Sequence, residues 1–268
     1  MNLLSQIQPK VTILLAVYNG GEVLQAQLDS YLQQSLPPST ILISDDGSQD
    51  GSQSCLAAFS SAAQSNGISC HLLDGPGCGG TANFLSLLRQ ASPDSDYVAL
   101  SDQDDIWLPD KLSEAVQALA SHADHPALFG SRSWEWNSAT DHRHLSRPVP
   151  APHDFRHALV QNFAGGNTMV LNRAALQLVQ RALLRVQDAA VHDWWLYQLI
   201  TGAGGTILLG QTPQILYRQH GENQIGANRG IHSKLRRLRA MLSGTYQQWN
   251  DLNVAALEPN KDLLTSEA

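Results

Sequence analysis

Four consecutive residues, Asp102, Gln103, Asp104 and Asp105, carry side chains that could hold a divalent cation. Hard cations such as Mg²⁺ prefer carboxylate oxygens and are often bound by one or two carboxylates together with substrate phosphates. Aspartates at positions i and i+2 of a strand end can lie beside one diphosphate. The alternative is a solvated acidic loop that leads into a helix near Pro109. The apolar stretch before Asp102 favours a cation site.

Acidic residues at two further places in the sequence, the pair Asp45-Asp46 and Asp193, could complete a reaction site. Asp45 and Asp46 follow another apolar stretch, and a carboxylate there could accept the N–H of a pyrimidine base; the sequence DDGS is also typical of a plain turn. Asp193 could accept a proton from a substrate hydroxyl, a contribution of typically ~10²–10⁴-fold to a rate. Alternatively, Asp193 could cap the helix that starts near His192.

The elements that must position these residues alternate between strands and helices. Apolar runs predict strands at 11–17, 40–44, 68–73 and 97–101, and helical spacing of apolar residues predicts helices between them. This alternation indicates an α/β fold with a mostly parallel sheet. Ligands bind such sheets beyond the carboxyl ends of the strands. Three polar strand ends should converge there: Tyr18-Asn19, Asp45-Asp46 and Asp102-Gln103-Asp104.

The second half of the chain has a weaker pattern. Residues 131–157 show no clear period and are expected to form loops. Beyond them we predict helices and short strands in alternation. The predicted strands are 168–171, 207–209 and 215–217, and the predicted helices are 176–183 and 192–200.

The C-terminal segment combines basic and apolar residues at helical spacing. Leu235, Leu238, Leu242 and Trp249 fall on one stripe, with the basic residues of 234–239 mostly around it. A basic amphipathic helix can rest on an anionic membrane surface. The alternative is a helix packed on the domain with a solvated basic face.

Composition limits the class of protein. With 268 residues, 43% of them hydrophobic and 15% charged, the chain can fold around a substantial core. A net charge of −7 argues against nucleic-acid binding. Three cysteines without a CxxC pair fit a reducing compartment. We find neither a signal peptide nor a run of about 20 apolar residues, so we expect a cytoplasmic protein, at most peripheral on the inner face of the membrane.

Six ordered segments resemble the inverting GT-A-fold glycosyltransferases of family 2. They span about residues 10–227. Two of them are YVALSDQDDIWLPDKL at 97–112 and YRQHGENQIGA at 217–227, in which SDQDDIWLPDKL and YRQHGEN are similar in particular to the bacterial rhamnosyltransferase branch. The other matching segments are VTILLAVYNG at 11–20, ISDDGSQDGS at 43–52, FAGGNTMVLNR at 163–173 and VHDWWLYQLI at 191–200.

The resemblance implies a role for each segment. Asp193 would be the catalytic base. The donor nucleotide would be bound by Ala16, Tyr18, Asn19, Asp45, Asp46 and Asp102. The metal, Mg²⁺ or Mn²⁺, would be held by Asp104, His220 and Asp102. The pocket for acceptor or donor sugar would include Gly165, Gly166, Asn167, Trp194 and Trp195.

The resemblance also implies an organisation and a substrate class. Residues 1–230 would form the GT-A domain, with a nucleotide-sugar half at about 10–125 and a smaller acceptor half at about 126–230. Residues 231–268 would form a basic helical tail. The rhamnosyl branch implies a dTDP-sugar donor, whereas related chains use UDP-sugars. The acceptor would be a saccharide or a lipid-linked saccharide.

Two other functions stay open from the residues alone. Acidic strand ends also serve Mg²⁺-dependent phosphoryl-transfer enzymes, although we find no P-loop and no GxGxxG after the first strand. A non-catalytic nucleotide-sugar-binding module is the second alternative. A degenerate transferase would be expected to lose a metal ligand or the base, and Asp102, Asp104 and Asp193 are all present.

Overall fold

The computed structural model describes residues 8–219 and 245–268, with the side chains of residues 245 and 246 excluded. Nine strands form one sheet in these residues: β1 Val11–Val17, β2 Thr40–Asp45, β3 Ser69–Asp74, β4 Tyr97–Ser101, β5 Ile106–Trp107, β6 Ala127–Asn137, β7 His142–Leu145, β8 Val170–Asn172 and β9 Thr206–Arg218. The α-helices of the same residues are α1 Leu24–Leu32, α2 Ser52–Ser65, α3 Gly80–Gln90, α4 Lys111–Leu119, α5 Phe155–Ala158, α6 Arg173–Leu183, α7 His192–Gly202 and α8 Thr245–Leu257. Short 3₁₀ turns span Gly21–Val23, Ala120–His122, Gly166–Thr168 and Glu258–Leu263.

The first half is the predicted parallel sheet, in the order β3-β2-β1-β4. In its register, Val17 lies beside Asp45, and Leu15 lies beside Ser101. The polar residues that follow β1, β2 and β4 therefore reach the same edge, as predicted. The sheet continues as β8-β6-β9-β5, in which β8 is antiparallel to both β4 and β6, and β6 is parallel to β9.

Two sequence-based expectations for the second half were wrong. Residues 131–157 do not form loops throughout, because they contain most of β6, all of β7 and the short helix α5. The strand β6 has register irregularities around Arg132, and three successive polar residues there, Ser131 to Ser133, line a cleft. This arrangement removes the alternation by which strands are recognised. The two short strands predicted at 207–209 and 215–217 are one strand, β9.

Apolar side chains fill both faces of the sheet. One core cluster joins the sheet to α3, α6 and α7, and a second joins the opposite face to α1, α2 and α4. Helix α7 is buried along its whole length, so its apolar residues face neighbours on every side. Among the residues described, no helix has the length and apolar character required to span a bilayer.

The last described segment packs against the first core cluster. Ala256 and Leu257 of α8 are buried there, and the main-chain N–H of Thr265 donates to Gly202 O at 2.8 Å. Arg185 forms an ion pair with Asp262. The charged residues in 245–268 are mainly acidic: Asp251, Glu258, Asp262 and Glu267 against Lys261. The basic residues of 234–239 and the predicted stripe residues Leu235, Leu238 and Leu242 lie outside the described residues, whereas Trp249 lies in α8.

Candidate active site

A cleft of about 580 Å³ opens at the carboxyl edge of the parallel strands. Residues from both halves of the sheet form its walls. Most of the residues predicted to act line it: Ala16, Tyr18, Asp46, Asp102, Asp104, Gly165, Gly166, Asn167 and Asp193. His220 lies outside the described residues, so its predicted metal role stays a prediction.

The acidic loop after β4 concentrates negative charge in this cleft. Burial, together with the carboxylates of Asp105 and Asp104, raises the pKa of Asp102 well above its usual range. A bound cation would relieve this repulsion, and carboxylate oxygens suit Mg²⁺ or Mn²⁺. In the described ranges, no group of three or more His, Cys, Asp or Glu side chains is arranged to hold a metal ion. The two carboxylates of Asp102 and Asp104 suit a cation that also takes ligands from diphosphate and water.

Gln103 fastens the acidic loop to the end of β1. Its side-chain Oε1 accepts a hydrogen bond from the main-chain N–H of Tyr18 at 2.8 Å, and its Nε2 donates to Tyr18 O at 2.9 Å. The Tyr18 ring is 59% exposed beside the cleft. The middle residue of the acidic motif thus orients the two strand ends relative to each other, a role that the sequence did not indicate.

Asp45 and Asp46 have different surroundings. The Oδ1 atom of Asp45 accepts hydrogen bonds from the main-chain N–H and the hydroxyl of Ser48, and the Ser48 hydroxyl accepts from the Asn19 N–H. Neither Asp45 nor Asn19 lines the cleft, so both support a turn beside it rather than its wall. Asp46 does line the cleft, and its carboxylate accepts hydrogen bonds from the main-chain N–H groups of Gly77 and Gly79 at 2.7 and 2.8 Å.

Asp193 lies in the first turn of α7 and is 7% exposed. Its Oδ2 accepts from the main-chain N–H of Gly166 at 2.9 Å, and its Oδ1 accepts from the N–H of Trp194 at 2.6 Å. Burial raises the pKa of Asp193 to about 6, although these hydrogen bonds act in the opposite direction. The alternative of a helix-capping role is wrong, because the N-cap residue is Val191.

His192 lies between Asp193 and α3. Its ring stacks on Phe84 with the ring centroids 4.0 Å apart, and burial lowers the pKa of His192 to about 3, so the imidazole is neutral. Its buried Nε2 has no hydrogen-bond partner within the described part of the chain. A Cβ atom at Gly166 would lie 2.6 Å from this Nε2 and 3.2 Å from Asp193 Cβ. Glycine at position 166 therefore permits the close approach of the 165–168 turn to His192 and Asp193.

The two tryptophans after Asp193 do not lie where a sugar pocket would need them. Trp195 is fully buried and Trp194 is 6% exposed, and neither lines the cleft. The indole N–H of Trp194 donates to Ala158 O at 2.6 Å. The prediction that Trp194 and Trp195 contribute to the sugar pocket is wrong, because both side chains pack in the core.

Comparison with known proteins identifies the family. The family model described as glycosyl transferase family 2 matches residues 12–179, which include the parallel sheet and the acidic loop. The chain belongs to glycosyl transferase family 2. It is therefore a glycosyltransferase, as the motifs predicted.

Curated relatives and solved structures resemble this family 2 enzyme over most of its length. It is 27% identical to the dTDP-rhamnosyl transferase RfbG of Shigella flexneri over 87% of this chain and 81% of the relative. It is 26% identical to TuaG of Bacillus subtilis, a putative teichuronic acid biosynthesis glycosyltransferase, over 73% of this chain and 74% of that one.

The solved structures share the fold. The structure of S. aureus TarS 1–349 with UDP-GlcNAc matches with a TM-score of 0.59 and 14% identity; 84% of this chain covers 60% of the TarS chain. The mannosyltransferase PcManGT of Pyrobaculum calidifontis with GDP-Man and Mn²⁺ matches with a TM-score of 0.55 and 17% identity, over 95% and 75% of the two chains. The predicted GT-A-type α/β fold is confirmed.

Beneath the cleft, this family 2 glycosyltransferase has a buried polar cluster that the sequence analysis missed. Lys111 was not predicted as a site residue, and Asp105 was named only as part of the acidic run, yet both contact Asn167. Arg218 adds a main-chain N–H donated to Asp105 and a guanidinium Nε donated to Asp104 O at 2.9 Å. The one available signal was that Asp105 and Lys111 belong to the same SDQDDIWLPDKL segment as the acidic motif.

Proposed function

We propose that this glycosyltransferase moves rhamnose from dTDP-rhamnose to an acceptor hydroxyl, with inversion and with a divalent metal, in the synthesis of a bacterial surface polysaccharide. The observation that carries the proposal is the position of Asp193. It lies buried in the same cleft as the acidic strand ends at Asp102 and Asp104. The proposed proton acceptor and the carboxylates proposed to bind the metal and the diphosphate therefore line one cleft.

Inversion requires attack on the anomeric carbon from the face opposite the departing nucleoside diphosphate. Asp193 is suited to take the hydroxyl proton of the acceptor as the new glycosidic bond forms and the bond to the diphosphate breaks. Its pKa of about 6 leaves it ionised at neutral pH but basic enough for general-base catalysis. The amides of Gly166 and Trp194 hold the carboxylate in place before the acceptor arrives.

The donor would occupy the part of the cleft at the ends of β1, β2 and β4. Tyr18 offers an exposed ring to a base, and Asp46 lies at the neighbouring strand end. Asp102 and Asp104, with His220 as a further predicted ligand, would hold Mg²⁺ or Mn²⁺. When bound, such an ion supplies Lewis-acid stabilisation to the leaving diphosphate. The Mn²⁺ in the PcManGT structure supports this assignment.

The choice of dTDP-rhamnose is supported by the relative RfbG, which is a dTDP-rhamnosyl transferase. The structural neighbour TarS was solved with UDP-GlcNAc and, in a separate structure, with UDP. A UDP-sugar is therefore the alternative donor. The relative TuaG, a putative teichuronic acid biosynthesis glycosyltransferase, supports a role in the synthesis of a surface polysaccharide.

A nucleotide panel tests the proposal. A ligand that binds only the folded state raises the melting temperature by mass action. We expect a stabilisation by dTDP that needs Mn²⁺, exceeding that by UDP or GDP, and transfer from dTDP-rhamnose giving the anomeric configuration opposite to that of the donor. A larger shift with UDP would favour the alternative donor. No shift with any nucleoside diphosphate would contradict the proposed site and favour phosphoryl transfer.

The acceptor would be a saccharide or lipid-linked saccharide, and the basic residues of 234–239 would support peripheral membrane contact. Because residues 245–268 pack on the core, a truncation would damage the fold. A full-length variant in which Lys234, Arg236, Arg237 and Arg239 are changed to Gln keeps those contacts. We expect the parent chain, and not this variant, to sediment with anionic vesicles. Equal sedimentation of the two proteins would contradict the membrane contact.

A further inference from the structure

Three polar side chains form a buried group beneath the cleft, here named the Asp105 cluster: Asp105, Lys111 and Asn167. Their exposed fractions are 0%, 1% and 5%. Asn167 Nδ2 donates to Asp105 Oδ2 at 2.5 Å, and Lys111 Nζ donates to Asn167 O at 3.0 Å. The Lys111 ammonium also lies 4.5 Å from the centre of the Trp107 ring. The cluster thus joins the acidic loop, α4 and the 165–168 turn.

This cluster stands between two parts of the catalytic machinery. On one side, Asp105 directly follows Asp104 of the acidic loop. On the other side, Asn167 directly follows Gly166, whose main-chain N–H holds the Asp193 carboxylate at 2.9 Å. A shift of the 3₁₀ turn Gly166–Thr168 would therefore move the support of the base relative to the metal-binding carboxylates.

Stability alone gives a poor reason for burying these charges. Burial lowers the pKa of Lys111 to about 7, and it raises the pKa of Asp105 above its usual range, so each charge is costly to bury. Replacing a buried ionic group by packed apolar residues is often neutral or stabilising. The hydrogen bonds within the cluster, and from the Arg218 N–H to Asp105, fix the relative positions of these polar atoms.

We propose that the Asp105 cluster is a positioning device that sets the separation between the acidic loop and the general base Asp193. Lys111 and Asn167 act through other groups, so they are positioning residues rather than catalytic ones. The inference rests on the proposed sugar transfer. It concerns the rate of transfer in the bound complex and not the affinity for nucleotide.

Exchanging the hydrogen-bond donor and acceptor between positions 105 and 167 tests this positioning role. In Asn167→Asp, two carboxylates would meet across the present 2.5 Å contact and push the turn away. The double variant Asp105→Asn with Asn167→Asp restores one donor facing one acceptor, and the amide oxygen introduced at position 105 can still accept from the Arg218 N–H. Lys111→Met is a second, independent variant that keeps the length of the side chain. Asn172→Asp is the control, because Asn172 is also a buried asparagine, 2% exposed, whose side-chain amide donates to main-chain oxygens, and it lies outside the cleft.

The measurements are kcat, donor KM and melting temperature for each protein, with assays well below the melting transition. We expect Asn167→Asp and Lys111→Met to lower kcat by about 10- to 100-fold, the usual effect of removing an outer-shell partner. Donor KM should change little, and the double variant should recover most of the kcat. The control should lower the melting temperature without lowering kcat.

A lower melting temperature with an unchanged kcat in both Asn167→Asp and Lys111→Met would overturn the positioning role and leave the proposed function intact. Recovery of melting temperature without recovery of kcat in the double variant would overturn it as well. Failure of the unaltered enzyme to transfer sugar would instead count against the proposed function. If Asn167→Asp does not fold, Lys111→Met decides between these results.

Discussion

The main-chain N–H of Gly166 donates to the Asp193 carboxylate at 2.9 Å, and Gly166 has no room for a side chain. The hydrogen bond orients the Asp193 carboxylate. The lack of a side chain at position 166 allows the turn to approach α7 so closely. Together they link a residue of the 165–168 turn to the residue that we assign to proton transfer.

Gly166→Ala should separate these two residues. The added Cβ would lie 2.6 Å from His192 Nε2, which is too close for a real contact, so the turn or the imidazole must move. A misplacement of about 1 Å can cost about 100-fold in rate, and we expect a loss of kcat of that order with nucleotide affinity retained. Kinetic assays and calorimetry measure the two quantities.

Gly202→Ala provides a control at the other end of α7, where an added Cβ would contact Leu264 and Phe155 at 3.1 Å. It should lower the melting temperature without reducing kcat. Equal loss of kcat in both variants would show that helix α7 is merely sensitive to crowding.

The pH dependence of transfer should report Asp193. The base works as a carboxylate, and burial raises its pKa to about 6. As pH falls through this value the carboxylate is protonated, so kcat should fall roughly tenfold per pH unit below about 6 and level off above it. The profile is measured at saturating metal and donor. A rate that stays constant down to about pH 5 would be inconsistent with Asp193 as the titrating base.

Asp104→Ala should weaken metal-dependent nucleotide binding. Removing one of the two acidic-loop carboxylates that line the cleft leaves a cation with fewer protein ligands, and we expect the affinity with Mn²⁺ to fall at least about tenfold. Calorimetry with and without Mn²⁺ measures this. Asp110→Ala is the matched control, since Asp110 is exposed and bonded to Ser35 outside the cleft. Unchanged affinity in Asp104→Ala would exclude Asp104 as a ligand.

Gln103→Ala should loosen the end of β1. Two hydrogen bonds to the Tyr18 main chain would be lost, each contributing about 0.5–1.5 kcal/mol. We expect weaker nucleotide binding, measured by calorimetry, with a small loss of melting temperature. Gln90→Ala removes a surface amide bonded to Ser86 and should change neither quantity. An unaltered nucleotide affinity in Gln103→Ala would show that this link does not shape the donor site.

The parallel half of the fold was predictable because three of its four strands, β1, β2 and β4, are buried on both faces. Val11–Val17 and Tyr97–Ser101 are continuous apolar runs, and the structure has strands with those bounds. Their polar ends identified the acidic edge of the cleft. Strand β6 was missed because three successive polar residues in it, Ser131, Arg132 and Ser133, line the cleft. Together with the register irregularities around Arg132, they remove the alternation of apolar and polar residues that identifies a strand.

The polar cluster beneath the cleft was not predictable by spacing. Asp105 and Asn167 are 62 residues apart in the sequence, and only the tertiary fold brings them together. A buried lysine also contradicts the usual exposure of that residue type, so Lys111 gave no signal of its location. The roles of Trp194 and Trp195 were misjudged because a sugar-stacking aromatic and a core aromatic have the same sequence pattern.

The most direct test of the central claim compares sugar transfer and nucleotide binding in Asp193→Asn. The asparagine keeps the shape and an acceptor oxygen for the Gly166 amide but cannot take a proton at neutral pH. We predict that transfer from dTDP-rhamnose falls by at least about 10²- to 10⁴-fold, the usual contribution of a general base, while metal-dependent dTDP binding persists. Retention of full turnover by Asp193→Asn would contradict the assignment of Asp193 as the base and the mechanism built on it.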